Sequence, residues 1–140
     1  MEKFILDTNV VSELRKRNPN KGCAAWIAGQ SFENLYLTVI TLAEIVQGIA
    51  LNDQARERGE LQAWLDEQLV PQFGDRILPF DQRAARIFGN IAAEARRRRK
   101  TRPLLDSLIA AIALAHDCAI VTRNRADFTG LDLTIVNPWK

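Results

Sequence analysis

One histidine and two cysteines are all the imidazole and thiol side chains that this chain offers. His116 stands where a helix is expected to end, a place where a cation suits the helix dipole, and it leaves no partner set for a Ser-His-Asp triad or an H-E-x-x-H zinc site. Cys23 and Cys118 do not form a C-x-x-C pair, and neither has a second metal-binding residue at zinc spacing. Both read as reduced and largely buried, in keeping with a cytoplasmic protein. Long hydrophobic runs are missing too. The longest, Leu108 to Ala115, has eight residues, whereas a bilayer needs about 20, so no membrane span is expected. The N-terminus lacks the apolar stretch and cleavage site of a signal peptide.

What is present reads as one ordinary globular domain, residues 1–140. Apolar residues make up 47% and charged residues 26%, and a chain of this length buries enough surface to fold without staples. Net charge is only +2, yet Arg96, Arg97, Arg98, Arg99, Lys100 and Arg102 put six cations into seven residues. Such a run is a candidate anion-binding patch. It is equally the basic last turn expected of a helix that begins at Asp81 and runs to about Arg99.

Short apolar runs alternate with longer helical patterns, which predicts an α/β fold with a mostly parallel sheet. Expected strands are Phe4-Ile5-Leu6, Leu35 to Ile40, Ile77-Leu78, Ala119-Ile120-Val121 and an edge strand, Leu133 to Val136, stopped by Pro138. Expected helices run from a Thr41 cap through Ile49, from an Asp53 cap to about Leu69, from Asp81 to about Arg99, and from Pro103 through His116.

In an open parallel sheet, ligands bind beyond the carboxyl ends of the strands. Asp7 follows the first strand. Glu44 falls in the first turn of the helix after the second, and Asp106 in the first turn of its own helix. Thr122, Asn124 and Asp127 follow the strand Ala119-Ile120-Val121. Structural readings stand beside each: Asp7 as a plain N-cap, Thr41-x-x-Glu44 as a capping box, Asp106 as the partner of Arg102. Asp106 belongs to the helix Leu104 to Ala115, apolar nearly all round and so expected to be buried. An unpaired carboxylate there wants a cation. Carboxylates without a His or Cys cluster select magnesium or manganese, and a carboxylate-held metal that activates water and clamps a phosphate is a common nuclease arrangement. The arginine run would supply attraction for a polyanion, with Arg97, Arg99 and Arg102 as candidate nucleic-acid contacts.

The residues also resemble a family. Phe4-Ile-Leu-Asp-Thr-Asn-Val-Val-Ser12 looks like the opening of PIN-domain proteins. Thr41-Leu-Ala-Glu-Ile-Val-Gln-Gly48 resembles their second motif, Pro103-Leu-Leu-Asp-Ser-Leu-Ile-Ala-Ala111 the third, and Val121-Thr-Arg-Asn-Arg-Ala-Asp-Phe128 the fourth. The order matches over essentially the whole chain, and the chain is most similar to the VapC-type toxins, particularly the FitB-like branch. The resemblance implies a PIN-like three-layer α/β/α fold and a cytoplasmic, magnesium-dependent endoribonuclease. It also implies a homodimer held inactive by a small antitoxin, with RNA as substrate. By motif, Asp7 and Asp106 would be the principal metal ligands, Glu44 would complete the acidic cluster, and Thr122 would position a ligand or water. Some relatives carry Asp where this chain has Asn124, so either Asn124 acts as a neutral ligand or Asp127 substitutes. Two other readings compete. One is a non-catalytic PIN-like module for RNA binding or interaction. The other is a haloacid-dehalogenase-like phosphotransfer enzyme, which wants a second Asp where this chain has Asn9 and a catalytic Lys at a strand end.

Overall fold

A computed structural model describes residues 2–140 of the chain. Five short strands form one sheet: β1 (Phe4–Leu6), β2 (Leu35–Thr38), β3 (Ile77–Leu78), β4 (Ala119–Val121) and β5 (Ile135–Val136). Their order is β3-β2-β1-β4-β5, and every pair is parallel. The sheet is thus parallel throughout. The chain builds outward from β1 to β3 and then crosses back to place β4 on the other side of β1. The strand order reverses between β1 and β4, where Leu6 is opposite Val121, and that reversal opens a crevice at the carboxyl ends.

Side chains alternate across the strands. Phe4 and Leu6 of β1, with Leu35, Leu37, Ala119 and Val121, face one apolar layer, while Ile5 and Ile120 face the other. The first layer is covered by α1 (Thr8–Arg15), α2 (Lys21–Ala28), α3 (Val39–Ala50), α4 (Ala55–Trp64) and α5 (Val70–Phe73). The second is covered by α6 (Gln82–Arg97) and α7 (Leu104–Ala115). The result is the three-layer α/β/α arrangement. Among the described residues no helix is long and apolar enough to cross a membrane.

Several boundaries differ from the sequence reading. The segment between Asp7 and Leu35, left unassigned, holds α1 and α2; both are eight residues long, too short to show a clear helical period. The second strand stops at Thr38, and Val39-Ile40 already belong to α3. Thr38, not Thr41, is the cap: its hydroxyl accepts from the Thr41 amide at 3.1 Å. Asp53 caps nothing. The α4 cap is Gln54, with no side-chain bond. The expected stop at Leu69 gives way to a π-helical stretch, Leu65–Leu69, that leads into α5. The wider turn accommodates Pro71, which has no amide to donate and would break a regular α-helix. The edge strand shortens to Ile135–Val136. At α7 the expected all-round burial does not extend to the first turn, where Leu104 is 62% and Leu105 40% exposed; farther along, Leu108 and Leu114 are half-buried.

Candidate functional site

Strand order brings Asp7 and Thr122 together. They follow paired residues on adjacent strands, so each emerges at the same crevice, and the Asp7 amide donates to the Val121 carbonyl at 3.0 Å. The Thr122 hydroxyl donates to Asp7 Oδ2 at 2.7 Å. Asn9 Nδ2 reaches both, at 3.3 Å to Asp7 Oδ2 and 3.2 Å to Thr122 Oγ1, while its Oδ1 accepts from the Arg123 amide at 3.2 Å. The other oxygen, Asp7 Oδ1, accepts from the Thr8 amide at 2.9 Å. Asp7 is therefore both helix cap and site carboxylate. Burial raises its pKa above the ordinary range, opposed by the bond from Thr122 and the other bonds it accepts, and the negative charge of Asp127 raises it further.

Glu44 comes from α3. Because that helix begins at Val39 under the Thr38 cap, Glu44 lies in the second turn and takes no part in a capping box with Thr41. Its carboxylate is free for the crevice. Oε1 accepts from the Thr8 hydroxyl at 2.8 Å, which ties α3 to the first residue of α1. Burial raises its pKa, the Thr8 bond opposes this, and the Asp7 charge adds to it.

Asp106 lies in the first turn of α7, half-buried at the edge of the crevice. Its pKa is pushed up to about 7, first by burial, then by the charge of Asp7, by direct contact with the Asp127 carboxyl and its charge, and by Glu44. Carboxyls from four segments thus lie near enough for the charges of Asp7, Asp127 and Glu44 to act on Asp106. Arg102 does not neutralise Asp106. It donates instead to backbone carbonyls, Asp127 O at 3.4 Å and Thr129 O at 2.6 Å. Among the described residues no ion pair reaches Asp7, Glu44, Asp106 or Asp127.

Asp127 sits in a 3-10 turn, Arg125–Phe128, anchored by the buried Phe128. Asn124 is exposed at the start of that turn, and its amide donates to Thr122 Oγ1 at 3.0 Å. Of the two candidates for the fourth position, Asp127 is the one whose charge acts on Asp7 and Asp106. Arg97 pairs with Glu94 at 3.3 Å at the exposed end of α6. Arg99 follows it with φ 53°. The Arg99 amide donates to Arg96 O and the Lys100 amide to Ala95 O, which closes the helix in a Schellman motif without its usual glycine. The sequence reading did not single out Thr8, and it used Asn9 only to argue against phosphotransfer. The Asp-Thr-Asn string was visible, but their partners are far away in sequence.

The donor set is hard oxygen and carries an excess of negative charge, which suits magnesium or manganese. Among the described residues no group of three or more His, Cys, Asp or Glu side chains is placed to hold a metal ion together. An open rim of carboxylates also fits magnesium, which commonly binds through one or two carboxylates and completes its shell with water and phosphate oxygens.

The PIN domain model matches residues 4–132. The VapC ribonuclease Y4jK of Sinorhizobium fredii is 39% identical over 98% of this chain and 98% of its own length. Toxin FitB of Neisseria gonorrhoeae is 36% identical over 97% of this chain and 98% of its own. The crystal structure of FitAcB from Neisseria gonorrhoeae superposes with a TM-score of 0.91, at 36% identity, over 97% of this chain and 98% of that one. With the four motifs in order, the carboxylates at one crevice and these similarities across the full length, the chain belongs to the PIN-domain family, in the branch that holds the VapC ribonucleases and toxin FitB.

Proposed function

We propose that this protein is a magnesium-dependent endoribonuclease and the toxin of a toxin–antitoxin pair. The observation that carries the reading is that Asp7, Glu44, Asp106 and Asp127 come to one crevice from four segments, and that among the described residues none of them is in an ion pair. Asp7 and Asp106 would hold the metal, with Glu44 and Asp127 completing the acidic rim. When bound, magnesium supplies polarisation of the phosphodiester and a water of lowered pKa.

The chain's own residues do the rest. Thr122 and Asn9 fix the Asp7 carboxylate from one side and the Thr8 amide from the other, so its direction does not drift when charge develops nearby. The Thr8 hydroxyl holds Glu44 Oε1 and leaves Oε2 to accept a proton from an attacking water. The raised pKa of Glu44 makes it a better base than an ordinary glutamate. Thr8→Val is expected to lower kcat about tenfold or more with KM little changed, because an unpositioned base loses much of its value. Thr8→Ser, which keeps the hydroxyl, should restore most of it. Equal rates for Thr8→Val and wild type would remove Thr8 from the mechanism.

The substrate reading rests on similarity to the VapC ribonuclease Y4jK and on the cations at the end of α6. Reversing Arg97 and Arg99 to Glu is expected to weaken RNA binding and to flatten its salt dependence by roughly 0.7 in log–log slope per lost contact on single-stranded RNA. Cleavage of bound RNA should change less. Unchanged affinity and slope would make the run a solvated helix end and nothing more.

The partner reading rests on similarity to toxin FitB. Two clefts, one of them lined by Thr8 and Glu44 of the site, would take an apolar segment of an antitoxin. One, of about 200 Å³, is lined by Val11, Leu14, Ile27, Phe32, Trp64 and Phe73 among others. The other, of about 400 Å³, leads from Thr8 and Glu44 to Ile45, Leu61 and Trp64. Trp64 is shared by both. The deciding experiment has two arms. The purified chain is incubated with RNA, with and without magnesium, and cleavage that needs the metal is expected. The chain is also expressed in bacterial cytoplasm, alone and with the adjacent short reading frame. Growth arrest relieved by a co-purifying product is the expected result, and sedimentation of the chain alone tests the homodimer. RNA cleavage by a chain that is harmless and binds no such product would uphold the nuclease and remove the toxin.

A further inference from the structure

Arg102 lies in the connection between α6 and α7, one residue before the Pro103 cap of the helix that carries Asp106. Its guanidinium spends its donors on the opposite loop. Nη2 donates to the Thr129 carbonyl at 2.6 Å and Nη1 to the Asp127 carbonyl at 3.4 Å, and Lys100 Nζ reaches the same Thr129 carbonyl at 3.4 Å. Gly130 continues that loop at φ +84°, a conformation that favours glycine. A methyl group there would come within 3.2 Å of Arg102 Nη2 and 3.6 Å of Lys100 Nζ. Sequence and backbone thus leave room for the two cations to sit against the loop.

The consequence falls on Asp127. The turn that carries it packs against α7, the helix that carries Asp106, and two ionised carboxylates brought close repel each other. A short turn free to swing would carry Asp127 away. It is held on both sides. Phe128 is 1% exposed in the core beneath, and Arg102 grips the carbonyls of Asp127 and Thr129. Carbonyls, not carboxylates, take the guanidinium, so the cation holds the loop without pairing with either acid.

We propose that Arg102 is a positioning residue that clamps the Asp127 turn to the base of α7 and so keeps the Asp127 and Asp106 carboxylates together. The proposal rests on the ribonuclease reading for its kinetic consequence and on geometry alone for the clamp. Arg102 is thereby placed behind the acidic rim, and direct RNA contact by Arg102 becomes the competing outcome.

The test compares wild type, Arg102→Ala, Arg102→Lys, Asp127→Asn and the Arg102→Ala/Asp127→Asn double variant. Arg102→Ala is expected to lower kcat about tenfold or more with KM nearly unchanged, as for other small misplacements of a reacting group. Arg102→Lys should recover part of the loss. In the Asp127→Asn background, removal of Arg102 should cost little more, because the two act through one carboxylate. Gly130→Ala, which disturbs the clamp from the other side, should reproduce the Arg102→Ala pattern.

Amide exchange supplies a readout without substrate or metal. Residues 125–130 should exchange faster in Arg102→Ala, while β1 and the interior of α7 keep their protection. Unchanged exchange across 125–130 would overturn the clamp. So would a KM increase and a reduced salt slope of equal size in both Asp127 backgrounds, the signature of an RNA contact. A wild-type chain that cleaves no RNA would sink the ribonuclease reading, and the exchange measurement would then uphold or overturn the clamp by itself.

Discussion

Asp106→Asn is expected to lower RNA cleavage at least a hundredfold or so, the scale seen when one preorganised electrostatic group is removed, while the metal-free protein melts higher than wild type. The two effects have one cause. Asp106 is raised to about 7 by burial, by Asp7, by Asp127 and by Glu44, so at neutral pH its charge is opposed from several directions. Asparagine keeps the shape and removes the repulsion. A rise of about 2 °C or more would correspond to relief on the order of 1 kcal/mol in a chain of this size. Cleavage and thermal melting in the presence of chelator are the two measurements. A variant that melts several degrees lower would show that the carboxylate has a stabilising partner, and one that cleaves normally would remove Asp106 from the site.

The second large effect joins pH and metal. Asp7, Glu44 and Asp106 all have folded pKa values above their ordinary ones. A carboxyl raised in this way binds its proton more tightly in the folded state. For Asp106 the resulting stability is fully present below the unfolded value of 3.8 and is lost as pH rises toward about 7. The metal-free protein should therefore melt progressively lower between pH 5 and 7.5. Magnesium should reverse this, because it binds the ionised acids of the folded state and displaces their protons. At a concentration well above its dissociation constant it should raise the melting temperature by about 5 °C or more. The shift should be larger at pH 7.5 than at pH 5.5, and manganese should be at least as effective. Asp7→Asn should erase it. Calorimetry across pH, with and without metal, checks every part. A melting temperature indifferent to millimolar magnesium at pH 7.5 would count against a metal site formed before RNA arrives.

The order and type of the major elements were legible because each carries a local signature. Phe4-Ile5-Leu6 and Ala119-Ile120-Val121 are short apolar runs too dense for a surface helix, and they became the two central strands. Asp81 announced the start of α6 and does cap it, at 2.9 Å to the Ala84 amide. Where the reading failed, a local signal was ambiguous. Thr38 and Thr41 are both acceptable caps three residues apart, and only the strand's end at Thr38 selects the first. That choice moved Glu44 one turn deeper into α3. The helix expected to end at about Leu69 instead passes through a π-helical stretch into α5.

The sequence by itself determined that acids would gather at the carboxyl ends of parallel strands, since Asp7, Asp106 and Asp127 each adjoin an element whose type was readable. It also offered no H-E-x-x-H zinc site and no C-x-x-C pair. Only the tertiary structure decided which groups serve those acids. Thr122 meets Asp7 across 115 residues and Thr8 meets Glu44 across 36, contacts set by strand order rather than by any local pattern. Arg102 could have paired with Asp106, four residues away, and instead holds Thr129, 27 residues away. A cation's partner is chosen by which acceptor lies within reach of its whole side chain, and reach is a property of the folded chain.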